Sequence, residues 1–171
     1  MKRYILLMVL LTVLTVGAFA KHPSGWGLGV GYQGFGRWEK GHGYGSGISA
    51  FIKAPVVPIY WGLSSQFTNG WYKLQLSGDY HFLDKTLVQS VNFGWFLGTG
   101  ANFGFTTAPS SMIAFDLRLP TGFYIMPSNS FEIFLDVVPS IGLDWMPKYP
   151  IEYAHFPGGG WQFDIGVRFW F

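Results

Sequence analysis

The sequence predicts an all-β fold, a single eight-stranded antiparallel up-and-down transmembrane β-barrel that follows a cleaved signal peptide. Three observations support this prediction. Residues 161–171 alternate apolar and polar side chains over a length that crosses a bilayer when the strand is tilted. The chain opens with the features of an export signal. Its composition is rich in aromatic residues and glycine and poor in charge.

The export signal occupies residues 1–20. Lys2 and Arg3 form a positive start, residues 4–16 form an almost unbroken apolar run, and Ala18-Phe19-Ala20 matches an A-x-A cleavage site. A membrane-spanning helix needs about 18 apolar residues, so this run is too short for an anchor. We therefore predict cleavage after Ala20, which leaves residues 21–171 as one barrel domain.

Charge and cysteine content exclude several classes of protein. Lys2 and Arg3 account for the net charge of +2, because the remaining chain has nine basic residues (11 minus 2) against nine acidic ones. A neutral chain without a basic run predicts no nucleic-acid partner. The chain has 0 cysteines, so no disulfide stabilises the domain. Aromatic residues reach 20% and charged residues only 12%, which favours a barrel whose apolar face meets lipid.

The first four strands are predicted from their alternation. The first sets apolar side chains against bare glycine, which suits a narrow barrel because inward glycines leave room for larger side chains. The second ends at Pro55, and residues 68–70 close a tight hairpin before the fourth, whose inner face is entirely polar. These strands span residues 25–32, about 47–54, 59–67 and 71–81.

The last four strands continue the same pattern. After a turn at residues 84–86, the fifth sets aromatic and aliphatic side chains outward against asparagine and glycine. Pro120 lies inside the sixth, where a bulge or an irregular ladder position tolerates it. Residues 127–130 are a turn by composition. These strands span residues 91–105, 112–126, 131–143 and 161–171.

An even number of strands puts both termini on one side, which is the periplasmic side in bacterial barrels. The outer connections are then residues 37–45, 68–70, 106–111 and 144–160. Aromatic residues near the strand ends match the two girdles expected at membrane interfaces. They are Trp38, Phe67, Trp71, Phe105, Trp145 and Trp161 at the outer side, and Trp61, Tyr80, Phe93, Phe131 and Phe169 at the inner side.

A nearly neutral set of charges falls on the predicted inner faces. An eight-stranded barrel is just wide enough inside for side chains, so these groups should pair and fill the lumen; a selective narrow pore is the alternative. Arg168 and Glu132 should lie at similar depth on neighbouring strands, and Arg118 with Asp116 or Asp136 is a second expected pair. The lumen charge cluster comprises Lys53, Lys73, Asp79, Asp116, Arg118, Glu132, Asp136, Asp164 and Arg168.

No pattern in the sequence indicates a cofactor, a metal or a catalytic group. None of the histidines, His22, His42, His81 and His155, has metal-ligand spacing. Residues 29–34 match G-x-G-x-x-G, but no helix pattern follows and no βαβ unit exists to hold a pyrophosphate. We therefore predict that the protein binds no metal or cofactor and is not an enzyme.

The alternation, the A-x-A signal and the terminal V-R-F-W-F resemble those of small outer-membrane barrels of the OmpA/OmpX and OmpW types. The stretches WGLGVGY, LQLSGDYHF, LRLPTGFYIMP and FEIFLDVVPSIGL are similar to a spirochaete family of small barrels without an assigned function. The resemblance implies location in the cell outer membrane among its lipids, as a monomer. It also implies that Val167, Phe169 and Phe171 form the C-terminal signal for the barrel-assembly machinery.

The resemblance leaves three functions open. The leading hypothesis is a structural or surface protein whose outer loops meet the environment or a host ligand. The second is a narrow channel for ions or, as implied by the OmpW type, small hydrophobic molecules, which requires an apolar outer lumen built from Phe51, Tyr60, Tyr124 and Phe134. The third is a lipid-modifying acyltransferase at the rim, where His42 and His155 would meet Ser110, Asp144 and Glu152.

Overall fold

The computed structural model describes residues 22–38, 44–68, 70–107, 111–146 and 155–171, with the side chains of residues 155–157 excepted. The predicted signal peptide, including Ala18 and Ala20, lies outside the described residues. Within these ranges, no helix is long and apolar enough to cross a membrane.

The described residues form nine strands that close into one antiparallel ring. The strands are β1 (Gly27–Arg37), β2 (Gly45–Lys53), β3 (Tyr60–Thr68), β4 (Trp71–Val88), β5 (Phe93–Thr107), β6 (Met112–Arg118), β7 (Thr121–Ser128), β8 (Phe131–Trp145) and β9 (His155–Trp170). β6 and β7 lie end to end between β5 and β8, so the two together fill one of eight positions. Each other strand pairs with its sequence neighbours, and β1 pairs with β9. The predicted eight-stranded up-and-down barrel is confirmed.

Pro120 explains why one position holds two strands. Proline lacks a backbone N–H and cannot continue a hydrogen-bonded ladder, so the strand is interrupted between Arg118 and Thr121. The gap is bridged by other backbone bonds, because Gly98 N donates to Pro120 O at 2.7 Å and Leu119 N donates to Pro139 O at 3.0 Å. The barrel wall therefore stays closed at this point.

Both ends of the barrel can be identified from the chain. At one end, Trp26 and Phe171 exchange backbone hydrogen bonds of 3.2 and 2.9 Å; we call this the terminal end, and the opposite one the loop end. At the loop end, Thr68 pairs with Trp71, which leaves the two-residue connection expected from the sequence. Gly70 has a φ of 92°, a conformation that suits glycine because it has no Cβ.

Several predicted boundaries are wrong. β4 runs to Val88, so residues 84–86 belong to a strand, and the turn is a 3₁₀ segment at Gln89–Val91 followed by Asn92 at a φ of 46°. Register shifts at His81/Leu83 and Thr86/Val88 break the alternation that the prediction followed. At the loop end, β5 continues to Thr107, β8 to Trp145, and β9 begins at His155, so the predicted loops 106–111 and 144–160 are shorter.

The barrel has a polar interior and an apolar exterior. More polar and charged residues are buried than hydrophobic ones, whereas most large apolar side chains are exposed on the outer surface. Val30 is 60% exposed and Leu117 is 60% exposed, while Glu132 and Asp164 are 0% and 1% exposed. Trp71 is an exception to the predicted girdles, because it faces the lumen and packs 6.1 Å from Phe35. This arrangement is the reverse of a soluble barrel.

Candidate functional site in the barrel lumen

The terminal end of the lumen is closed by an aromatic and charged cluster, which we call the mouth cluster. Arg168 on β9 donates from Nη1 to Oε1 of Glu132 on β8 at 2.6 Å, and Trp170 Nε1 donates to the other oxygen at 2.7 Å. The Arg168 guanidinium lies 4.4 Å from the ring centre of Phe134. The sequence predicted similar depth for Arg168 and Glu132, and the register pairs them directly.

Two residues of the mouth cluster come from unexpected places. Asp84, predicted in a turn, is buried in β4 and accepts a 2.8 Å hydrogen bond from Tyr124 Oη. His22, which precedes β1, inserts its ring between Asp84 and Glu132. Burial disfavours the charged imidazole, but the two carboxylates outweigh that effect, so the pKa of His22 is raised above its ordinary value of 6.5. The imidazolium is the form that this site favours.

A circuit of amide side chains lies further along the lumen, and we call it the glutamine ring. Gln33 donates to Asp164 at 3.0 Å, Gln66 donates to Gln33 and, at 3.4 Å, to Gln75. Gln75 donates to Gln162 at 3.2 Å, and Gln162 returns to Asp164 at 3.2 Å. The circuit joins β1, β3, β4 and β9 across the interior. Amide groups suit this role because each supplies both donors and an acceptor.

The carboxylates beside the glutamine ring are close to one another. Asp136 and Asp164 are register partners, and the backbone N–H of Asp164 donates to Asp136 Oδ1 at 3.1 Å. Arg118 binds Asp79 with two hydrogen bonds of 3.0 and 3.1 Å. The expected pairing of Arg118 with Asp116 or Asp136 is therefore wrong. Asp79 on β4 and Arg118 on β6 are both register partners of Gly100 on β5, and the carboxylate matches the planar guanidinium in a bidentate geometry.

A small cavity of about 40 Å³ lies near the loop end of the lumen. Lys73, Asn102 and Asp116 line it together with Arg37 and Asp144, which form an ion pair. Asn102 Oδ1 and Asp116 Oδ1 are buried and have no hydrogen-bond partner in the protein. A space of this size and polarity holds a few water molecules.

The structure places all nine residues of the predicted lumen charge cluster on the inner face. Four form two ion pairs, Arg168 with Glu132 and Arg118 with Asp79. Asp136 and Asp164 lie at the glutamine ring, and Lys73 and Asp116 at the cavity. Lys53 lies at the mouth cluster, 5.9 Å from the Tyr60 ring centre.

Sequence reasoning missed His22 and Asp84 as lumen groups, and it did not predict that the inward-facing glutamines bind one another. Within any one strand, a single glutamine gives no indication that it contacts the others. Their inward parity was the available signal, because Gln33, Gln66, Gln75 and Gln162 all share the face that carries the charges. His22 gave no signal, since it precedes the first strand.

The residues proposed for a rim enzyme are not assembled in the described part of the chain. His42, Ser110 and Glu152 lie outside the described residues, as does the side chain of His155. Asp144 forms an ion pair with Arg37.

His81 is a lumen residue whose ring stacks between those of Tyr60, at 4.1 Å, and Phe96, at 4.2 Å. No group of three or more potential metal ligands occurs among the described residues.

Comparisons with known proteins bear on the fold. A family model described as "Protein of unknown function (DUF3996)" matches residues 38–171. The crystal structure of Neisserial surface protein A superposes with a TM-score of 0.52 at 12% sequence identity, covering 85% of this chain and 97% of that one. At this identity the likeness shows the fold alone. No curated protein matches the sequence.

Proposed function

The protein belongs to the family described as "Protein of unknown function (DUF3996)", and we propose that it is an integral outer-membrane β-barrel with a closed lumen and a functional loop end. The filled interior stabilises the barrel, and the outer loops meet the environment or a host ligand. Membrane lipids are its surroundings and the barrel-assembly machinery its partner during biogenesis. It acts as a monomer and catalyses no reaction.

The outer surface supports a membrane location. Apolar side chains form a continuous belt around the ring, from Leu28 and Val30 on β1 to Ile165 and Phe169 on β9. Exposed aromatic residues lie near the strand ends, Trp61 and Phe169 at the terminal end and Phe67 and Trp145 at the loop end. A surface this apolar is unstable in water but is the surface that a bilayer requires.

The hydrogen bonds that cross the lumen are the observation that supports a closed interior and with it the proposed role. Side chains from several strands meet at two depths, in the mouth cluster and in the glutamine ring. Hydrogen bonds and ion pairs link the walls at each depth, so a solute crossing the barrel would have to break buried polar contacts. With the interior closed, the loop end is the part of the barrel that remains available to partners.

A narrow channel is the second candidate, favoured by the polar cavity near the loop end. Its lining of Lys73, Asn102 and Asp116 fits water or ions and does not fit hydrophobic molecules. The aromatic residues required for an OmpW-type path, Phe51, Tyr60, Tyr124 and Phe134, lie in the terminal half. We therefore propose a relationship to the OmpA/OmpX type over one to the OmpW type, and the eight strand positions and the filled interior support it. The relationship to a spirochaete family is also a proposal, and it rests on the sequence stretches alone.

Fractionation and conductance together test the proposed function. We expect the protein in the detergent-extracted outer-membrane fraction and no steady conductance after insertion into planar bilayers, with a porin as the positive control for insertion. Recovery in the soluble extract without detergent would overturn the membrane assignment. Reproducible single-channel steps would replace the closed barrel with the channel.

A further inference from the structure

The segment before β1 turns into the barrel. Residues 22–26 lie outside the strands, and their last member, Trp26, is held by its two backbone bonds to Phe171. Ser24 and Trp26 are exposed, whereas His22 is 6% exposed. A short tether therefore leads from the barrel wall to one buried side chain in the terminal mouth.

Two carboxylates on separate walls contact the His22 ring. Nδ1 lies against Oδ2 of Asp84 on β4, and Nε2 lies 3.4 Å from Oε1 of Glu132 on β8. The backbone N–H of His22 also donates to Asp84 Oδ2 at 3.2 Å. Nδ1 is hydrogen-bonded to Asp84, whereas Nε2 lies within ion-pair distance of Glu132 and makes no hydrogen bond among the described residues, so both ring nitrogens face carboxylate oxygens.

Aromatic rings surround the same side chain. The Tyr124 ring centre is 4.2 Å from that of His22, and those of Trp170, Tyr60 and Phe96 are 5.7, 5.9 and 6.4 Å away. Aromatic faces attract cations, and this attraction strengthens where water is excluded. The mouth therefore has the two features of a cation cage, aromatic walls and opposed carboxylates.

We propose that the terminal mouth is a binding site for a planar organic cation with two N–H donors, and that His22 of the same chain occupies it as a tethered plug. Arg168 pairs with Glu132, and the His22 ring lies against both carboxylates, so an imidazolium adds a positive charge where two walls of the mouth present carboxylate oxygens. The inference goes beyond the role of the loop end and holds whether or not the outer loops bind a partner.

The other groups facing His22 come from every wall of the mouth and define what the occupant experiences. Arg168 is held by Glu132 through its Nη1 atom. His81 stands 6.3 Å from His22. Among the described residues, the titratable or charged groups of the mouth are Lys53 on β2, Tyr60 on β3, His81 and Asp84 on β4, Tyr124 on β7, Glu132 on β8 and Arg168 on β9, while β5 contributes the uncharged Phe96.

Chemical rescue tests the proposal. His22→Ala leaves a vacancy the size of an imidazole, and we expect a lower unfolding temperature in detergent, followed by circular dichroism. Added imidazole at pH 6 should raise that temperature along a saturating one-site curve, because a ligand that binds the folded state alone stabilises it by mass action. Pyrazole, a ring of the same size that is neutral at pH 6, should rescue far less.

Matched controls separate site occupancy from general solvent effects. Wild type and Ser24→Ala, a change at an exposed position of the same segment, should not respond to imidazole at matched ionic strength. Equal stabilisation of all three proteins, or none of His22→Ala, would overturn the proposal. If His22→Ala does not fold, the rate at which His22 is carbethoxylated in the wild-type protein tests the proposal. We expect His22 to react at least about tenfold more slowly in the folded barrel than after unfolding, and equal rates would refute the plug.

Discussion

Arg168 and Glu132 are register partners on β9 and β8, and the guanidinium Nη1 lies 2.6 Å from the carboxylate Oε1. Glu132 is 0% exposed and also accepts a hydrogen bond from Trp170. The Glu132 carboxylate on β8 thus binds two side chains of β9, the Arg168 guanidinium and the Trp170 indole.

Removing Arg168 alone should destabilise the barrel strongly. Arg168→Met leaves Glu132 buried with less compensation, which costs about 3 to 5 kcal/mol in comparable buried pairs. Combining it with Glu132→Met should recover much of this loss, although His22 and Trp170 then lose an acceptor. Urea unfolding in detergent of both single variants and the double variant measures the coupling. Mild, additive single effects would mean that water reaches this depth.

A second double-mutant cycle distinguishes the two proposed partners of Arg118. Because both hydrogen bonds of Arg118 go to Asp79, Arg118→Met and Asp79→Leu should show a coupling free energy of about 1 to 3 kcal/mol. The control cycle pairs Arg118→Met with Asp116→Leu and should be nearly additive. Coupling in the control cycle alone would restore the pairing predicted from the sequence.

The sequence predicted the strand positions and the facing of most residues because period-two alternation is a local property of each strand. It could not identify which lumen groups meet, because tilt and stagger of the strands decide that. Arg168 and Glu132 were predictable since they lie near the ends of adjacent strands, where an error in register is small. Arg118 and Asp79 belong to strands separated by β5 and meet because both are register partners of Gly100, which has no side chain; that register was not readable from the alternation.

The turn predicted at residues 84–86 was wrong because local composition does not show how a strand pairs with its neighbour. Asp84, Lys85 and Thr86 have turn-like composition, yet two bulges keep β4 paired with β5 through this stretch. The outcome matters for the mouth cluster. Asp84 enters the lumen because the strand continues, and without that carboxylate His22 would contact only Glu132.

Charges on the lipid-facing side of β9 should cost more toward the middle of the membrane. Phe169, Val167 and Ile165 are successive lipid-facing positions of β9. Phe169 lies near the terminal end of the barrel, and Ile165 lies nearest the middle of the membrane. We expect Ile165→Arg to lower the free energy of unfolding by about 2 to 4 kcal/mol and Val167→Arg to lower it less, because the cost of a charge falls toward the membrane interface. Folding into liposomes followed by urea titration measures both, with Val167→Leu as control. A milder effect of Ile165→Arg would contradict the depth assigned to it.

Gly166 is a matched test on the inner side of the same strand. A Cβ there would collide with the carbonyl oxygen of Val30 and lie 2.7 Å from Phe134 Cζ. We expect Gly166→Ala to destabilise the barrel, because the Val30 oxygen belongs to the closing strand pair and cannot move freely. Wild-type stability for this variant would show that the β1–β9 seam adjusts.

Deleting Phe171 should reduce assembly into the outer membrane. The residue ends the apolar series of Val167 and Phe169, and its backbone supplies both hydrogen bonds that hold Trp26 at the seam. Phe171→Ala keeps those bonds and removes only the ring, so it separates the two contributions. Heat-modifiable migration on gels measures the folded fraction. If the deletion and Phe171→Ala assemble fully, the C-terminal residue has no part in recognition by the assembly machinery.

Stability should depend on pH through His22. Its pKa is raised in the folded barrel, because the carboxylates of Asp84 and Glu132 outweigh the opposing effect of burial. A raised pKa means that the folded state holds the proton more tightly than the unfolded state. The stabilisation is therefore complete below the unfolded value of 6.5 and disappears as the pH rises through the folded value.

The difference in unfolding temperature between wild type and His22→Ala measures this contribution together with the effect of His22 on its two carboxylate partners. We expect this difference to narrow as the pH is raised above neutrality. His22→Gln, which keeps a donor but not the charge, should resemble His22→Ala at every pH. A difference that widens with rising pH would show that His22 is held as the neutral ring, and the cationic form assigned to it would be wrong.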